Sequence, residues 1–183
     1  GLVTVEERGG RDKFWNRVMF PIMDVNNRVI GFGGRVMGEG EPKYLNSPET
    51  RLFDKSRSLY GLNYARTTRE KFYADLRGLS GCDLFASGRF LPMQWPLLGL
   101  PFTSQHAGIL KRYTDQVILT YDSDGAGVKA ALRAIPILRE AGLSARILNM
   151  SPCKDPDEFI KQMGPDAFRK RILEAKNSFL FEI

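Results

Sequence analysis

Asp122 and Asp124 stand two residues apart in "VILTYDSDGAGVKAA", directly after an apolar run. A strand ending there delivers them to the carboxyl edge of a sheet, where open α/β folds place their ligands. In extended chain, residues two apart point to the same side, so both carboxylates face one point in space. They repel unless a cation lies between them, and hard oxygen donors with room for water suit Mg²⁺ or Mn²⁺ and the phosphates it carries. Alone, Asp-Ser-Asp-Gly serves equally well as a turn with a helix cap. A second pair, Asp155 and Asp157 in "KDPDEF", follows the next apolar run, "ARILNM". Adjacent parallel strands bring their carboxyl ends to one edge, so the two pairs are expected to lie near each other. The other reading of the second pair is a helix start, whose dipole favours acidic residues. Four converging carboxylates favour metal ions over caps.

The elements that must position these groups are legible around them. "QVILTYD" reads as a buried strand and "AGVKAALRAIPILREAGL" as an amphipathic helix closed by Gly142, with "ARILNM" as a second strand. Strand, helix, strand in that order makes a right-handed parallel unit. Upstream, Thr103 suits an N-cap for "SQHAGILKRYT". Downstream, Asp-Pro and Pro-Asp start two helices, "DPDEFIKQMG" and "PDAFRKRILEA". Near the N-terminus, "RVMFPIMDVNNRVIGFGGRV" reads as two antiparallel strands joined at Asn26-Asn27, followed by a loop, "MGEGEPKYLNSPET". Leu59, Leu62 and Ala65 then fall near helical spacing in "DKSRSLYGLNYARTT", which predicts a short helix.

The 183 residues are 43% hydrophobic and 26% charged, ordinary for a globular protein, and the formal charge of +6 suits a polyanionic partner. Two cysteines, Cys82 and Cys153, and one histidine, His106, exclude a zinc set or a disulfide framework within this sequence. That usage fits a reducing, cytosolic setting. No stretch approaches the roughly 20 apolar residues of a membrane span, and no signal-peptide layout opens the sequence. The sequence begins and closes without natural boundaries and is expected to be part of something larger. His106 is expected on a polar helix face without a ligand role, and Phe14, Trp15, Phe20 and Phe32 are read as packing residues.

"YDSDGAG" with "KAALRA" and then "KDPDEF" resembles the Toprim fold, the acidic metal-binding domain shared by bacterial primases, topoisomerases and some nucleases. Within it, "RVMFPIMDVNNRVIGFGGRVMGEGEPKYLNSPET" followed by "LFDKSRSLYGLNYA" resembles the bacterial DnaG-type replicative primases. The resemblance implies an α/β fold: a Toprim-like parallel sheet flanked by helices, preceded by a small mixed α+β subdomain and followed by a helical segment. The implied divisions are 1–66, a basic N-terminal subdomain; 67–152, the Toprim domain; and 153–183, the start of a helical subdomain. Asp122, Asp124, Asp155 and Asp157 are implied to hold two or more catalytic Mg²⁺ or Mn²⁺ ions, with Asp122 and Asp124 catalytic. Arg17, Arg28, Arg35, Lys43, Tyr44, Asn46 and Lys55 are implied to line a basic face for the single-stranded DNA template and incoming ribonucleoside triphosphates.

The implied activity is RNA primer synthesis at replication forks, in the bacterial cytoplasm. Its implied partner is the replicative helicase, met through a module outside this sequence, as is the family's zinc module. No membrane is involved. Two other readings are a catalytically dead nucleic-acid-binding remnant and another Toprim enzyme. The N-terminal blocks disfavour the last.

From Phe72 to about Pro101 the sequence departs from that family. The family carries a strand resembling "LCEGYMDVIAL", whose glutamate completes the metal site, and then "NAVASLGTAFT". Allowed codons for Phe72 to Asp83, read one base later, give Ser-Met-Leu-Ile-Cys-Glu-Gly-Tyr-Leu-Asp-Val-Ile. Met93 and Trp95 have a single codon each, so "MQWP" read one base earlier gives Ala, then Val or Met, then Ala. The stretch is therefore read as a frame-shifted rendering of an ordinary gene, the other reading being a diverged insertion. As written it lacks the glutamate, and the Gly and Pro content of "LRGLSGCDLFASGRFLPMQWP" argues against a buried parallel strand.

Overall fold

The structure is a computed structural model that describes residues 2–7, 9–66, 72–75, 92–94, 102–120, 125–154 and 156–178. The N-terminal part opens with a hairpin of β1 (Val3–Glu6) and β2 (Gly9–Asp12). A three-stranded antiparallel sheet follows, made of β3 (Arg17–Met23), β4 (Val29–Val36) and β5 (Tyr44–Asn46). The β3–β4 turn is the expected one. Asn27 adopts φ 63°, and Asp24 Oδ1 accepts the backbone N–H groups of Asn26 and Arg28.

Two expectations need correction here. The stretch read as a loop contributes β5, which pairs Tyr44 with Arg35 and Asn46 with Gly33. The short helix expected between Asp54 and Thr68 forms as α1 (Leu62–Ala65) but leaves Leu59 outside it, because Gly61 takes φ 80° and breaks the run that Leu59 would begin. Leu59, Leu62 and Ala65 are nonetheless all buried, so the apolar spacing reports a buried face without a continuous helix.

The second sheet has the order β10-β9-β8-β6-β7, with β6 (Phe72–Asp75), β7 (Pro92–Gln94), β8 (Gln116–Thr120), β9 (Ser144–Leu148) and β10 (Lys176–Asn177). β6, β7, β8 and β9 are mutually parallel, and β10 closes one edge antiparallel to β9. The stretch whose Gly and Pro content argues against a buried parallel strand, residues 76–96, contributes only the edge strand β7 among the described residues. β6 forms from Phe72 to Asp75, upstream of the glycines, and lies between β8 and β7. Pro92 opens the edge strand β7, a position where its missing N–H is tolerated. The rest of that stretch lies outside the described residues.

Helices cover both faces. Val117, Leu119, Ala145 and Ile147 point to one face, where they pack with Ala107 and Leu110 of α2 (Ser104–Leu110) and Ala131, Ala134, Ile135 and Leu138 of α3 (Gly125–Glu140). Ile118 and Leu148 point to the other, against Phe159 of α4 (Pro156–Met163) and Phe168 and Ile172 of α5 (Pro165–Leu173). The alternation is the period-2 signature of a strand buried on both sides. On that second face Arg146 donates from Nε to the Ala175 carbonyl at 2.8 Å and from Nη2 to Leu173 O at 3.0 Å, satisfying carbonyls at and just past the end of α5. The two tail helices thus complete the layered α/β unit. Leu59, Leu62 and Ala65 join the first of these cores, so the N-terminal part and the parallel sheet share one apolar interior.

Candidate functional site

β4 and β5 build the basic face. Arg35 and Tyr44 are register partners, and the Arg35 guanidinium lies 5.9 Å from the Tyr44 ring centroid. The Lys43 ammonium lies at the same 5.9 Å. One aromatic ring thus gathers two cations, each within cation–π range. Arg35 and Lys43 also line an open concavity of about 580 Å³ with Val18, Met37 and Glu39. Neither cation has an ion pair among the described residues. A concave strip of unpaired cations with an aromatic at its centre suits a phosphate backbone.

Arg17 starts β3 beside this strip and pairs with Val36. Its stem crosses Gly34: a β-carbon there would stand 3.2 Å from Arg17 Cδ and 2.7 Å from Phe14 Cδ1. Arg17 Nη1 is buried without a hydrogen-bond partner. A donor left unpaired in this way retains its full capacity for an anionic acceptor. Asn46 lies one strand away, opposite Gly33.

Arg28 stands apart. It lies in the turn at the far end of the β3–β4 hairpin, 74% exposed, and its guanidinium is engaged by Asp24 through Nε and Nη2, both at 2.8 Å. The Arg28 backbone N–H, with its guanidinium and the Asn26 N–H, holds the Asp24 carboxyl below the usual carboxylate range. The structure does not bring Arg28 together with Arg17, Arg35, Lys43, Tyr44 and Asn46.

Lys55 occupies a loop fixed from two directions. Its backbone N–H donates to Glu49 Oε1 at 3.1 Å, and its carbonyl meets His106 Nε2 at 2.9 Å. His106 is 2% exposed, which corrects the polar-face expectation. It sits at N3 of α2, where its backbone N–H donates to Thr103 Oγ1 and its Nδ1 accepts the Thr103 N–H, each at 3.2 Å. Thr103 Oγ1 in turn donates to the Ser56 carbonyl at 2.8 Å. Burial depresses the imidazole pKa to about 4, against the opposing influence of the Lys55 carbonyl and Asp54. The ring is neutral at physiological pH. Thr-x-x-His reproduces the spacing of a capping box with histidine in place of glutamate, a sequence signal that could have found this residue.

α2 connects β7 to β8, which are parallel members of one sheet, so it must run back from their carboxyl edge. Its N-terminal cap, and with it Lys55, therefore belongs to the edge at which β8 ends. Thr120 is the last residue of β8, 4% exposed, on the face shared with Ile118, and its Oγ1 is buried without a hydrogen-bond partner. Two residues on comes Asp122. Asp122, Asp124 and Asp155 lie outside the described residues, and Asp157 falls in the first turn of α4, which follows β9 at the same edge. Among the described residues no three His, Cys, Asp or Glu side chains converge. By residue type, the aspartates that follow β8 and β9 in sequence are hard oxygen donors, a chemistry that fits a hard divalent cation and not zinc.

Residues 1–66 match the family described as the DNA primase catalytic core, N-terminal domain, and residues 95–160 match the Toprim-like family. The DNA primase of Clostridium acetobutylicum is 41% identical over 177 residues, covering 96% of this chain and 29% of that protein. The chain belongs to the DnaG-type primases. The Escherichia coli primase catalytic core superposes with a TM-score of 0.86 at 37% identity, covering 99% of this chain and 60% of that one. A DnaG primase catalytic domain described as bound to ssDNA gives a TM-score of 0.85 at 36% identity, over 99% of this chain and 59% of that one. The chain thus spans less than a third of the curated Clostridium primase and about three fifths of those two solved cores. A Toprim-containing primase core implies use of divalent metal. No helix among the described residues is long and apolar enough to cross a membrane.

Proposed function

We propose that this chain carries out DNA-dependent RNA primer synthesis on single-stranded DNA, by metal-dependent nucleotidyl transfer at replication forks in the bacterial cytoplasm. The observation that carries the reading is the Thr103–His106 cap, which holds the Lys55 loop at the edge of the sheet from which the chain runs on into Asp122. A cationic loop is thereby held at the edge where β8 ends.

Asp122, Asp124, Asp155 and Asp157 would hold Mg²⁺ or Mn²⁺, with Asp122 and Asp124 nearest the reacting atoms. Such ions, when bound, lower the pKa of the attacking 3′-hydroxyl and neutralise the leaving pyrophosphate. Lys55 binds the triphosphate of the incoming ribonucleotide. Arg17, Arg35, Lys43, Tyr44 and Asn46 hold template backbone, reading charge and not sequence. Arg28, held by Asp24, contributes little. The divisions are 1–66, a basic subdomain for template and nucleotide; 67–152, the Toprim domain; and 153–183, the start of a helical subdomain, whose first residues add Asp155 and Asp157 to the metal set. The replicative helicase is met through primase regions outside these residues.

Incorporation of labelled ribonucleotides into short products on a single-stranded template, dependent on a divalent cation, tests this reading. Strand cleavage without added nucleotides would place the chain with other Toprim enzymes instead.

A further inference from the structure

The buried neutral histidine has no part in the chemistry assigned above, yet every polar atom of its ring is used. Nε2 meets the carbonyl of Lys55 at 2.9 Å and Nδ1 accepts from Thr103 at 3.2 Å. The same threonine secures the next carbonyl, Ser56 O, at 2.8 Å. Ser56 Oγ contacts Asp54 Oδ1 and Gln105 Oε1, both at 2.6 Å. Two consecutive carbonyls of the 54–57 loop are therefore held by two side chains at the start of α2. The ammonium of Lys55 itself has no hydrogen bond or ion pair among the described residues.

We propose that His106 is a positioning residue for Lys55, acting through the Lys55 carbonyl to hold that ammonium at the carboxyl edge of the parallel sheet for the triphosphate of the incoming ribonucleotide. The proposal rests on the reading of Lys55 as a phosphate-binding residue. Its physical content is pre-organisation. A long lysine side chain on an untethered loop samples many positions, and fixing its main chain removes part of the ordering cost of binding. The requirement on residue 106 is specific, namely a donor toward Lys55 O and an acceptor toward the Thr103 N–H on one rigid ring, which neutral imidazole supplies.

A double-mutant cycle on nucleotide binding tests this, with Lys55→Ala, His106→Ala and the pair compared by calorimetric titration of Mg²⁺-ATP and by single-stranded DNA affinity. His106→Ala is expected to weaken nucleotide binding several-fold while changing DNA affinity less than twofold. In the Lys55→Ala background it is expected to add nothing. His106→Gln, which retains an amide donor, is expected to recover part of the loss. Equal losses in both backgrounds would overturn the proposal and leave Lys55 as a binding residue. A Lys55→Ala chain that binds nucleotide as well as its parent, or a parent that binds none, would overturn the reading of Lys55 and the proposal with it. Should His106→Ala fail to fold, the same cycle is read with Thr103→Val, which releases Ser56 O and the cap on the His106 N–H and is held to the same non-additivity.

Discussion

The stem of Arg17 lies across Gly34, its Cδ only 3.2 Å from where a β-carbon on that glycine would stand. Phe14 closes the space from the other side, its Cδ1 at 2.7 Å, and Phe14 is buried and unable to retreat. Gly34→Ala must therefore push Arg17 off the strip. Single-stranded DNA affinity is expected to fall by about the contribution of one phosphate contact, with a midpoint of thermal unfolding lowered by a few degrees. An alanine variant with unchanged affinity would show that Arg17 does not contact template.

Lys43 and Arg28 give opposite expectations from the same formal charge. Lys43→Ala is expected to reduce the slope of log K against log salt by roughly 0.7 on single-stranded DNA, the loss of one neutralised phosphate. Arg28→Ala is expected to leave that slope unchanged, because Asp24 already holds the guanidinium. Salt titrations of the two variants side by side decide it.

Stability should fall with acidification in two stages. His106 has its folded pKa lowered to about 4 from an ordinary 6.5, so the unfolded chain binds the extra proton first. Its contribution is complete above about pH 6.5 and is lost as pH falls toward 4. Asp24 and Asp54, both lowered, add a second loss as pH falls below their unfolded value of 3.8. For Asp54 the Ser56 hydroxyl is the main cause. Chemical denaturation at a series of pH values is expected to show the first stage in the parent and its absence in His106→Gln.

Thr120→Val replaces a buried hydroxyl that has no partner by a group of the same shape. In the absence of divalent cation this substitution is expected to be neutral or stabilising by about 1 kcal/mol, read as an unchanged or raised midpoint of unfolding. A clear destabilisation would mean that the hydroxyl bonds to a group at the strand end.

The coding DNA across codons 70 to 104, resequenced from an independent template, is expected to read Cys-Glu-Gly-Tyr in frame. β6 already forms at Phe72–Asp75 with Asp75 level with Thr120. In the shifted reading the glutamate is residue 77, two beyond Asp75, as Asp122 is two beyond Thr120. A sequence whose other frames hold no such motif would remove this explanation.

What the residue pattern disclosed and what it hid follow physical lines. Continuous apolar runs such as Val117 to Leu119 and the 3.6-residue period of α3 survive any context, so the parallel unit and both tail helices were readable. The cap at Thr103 was too, because a side-chain acceptor before a helix is a local feature. β5 was hidden because three residues inside a Gly, Pro and Asn-rich stretch become a strand only through pairing with β4. Leu59 was counted with the short helix because it shares the buried face of Leu62 and Ala65, a burial that comes from the neighbouring sheet. His106 was read as exposed because its partners, Lys55 and Thr103, include one 51 residues away in sequence. Arg28 matched its neighbours in type, and only the turn geometry separates it from them.

The most direct measurement is short-RNA synthesis on single-stranded DNA by the protein expressed from its own gene, with ribonucleoside triphosphates and Mg²⁺ or Mn²⁺. The account predicts short products that require the cation and disappear in the Asp122→Ala, Asp124→Ala double variant while DNA binding persists. Salt-sensitive DNA binding with no nucleotide incorporated, unaffected by removing both aspartates, would contradict it.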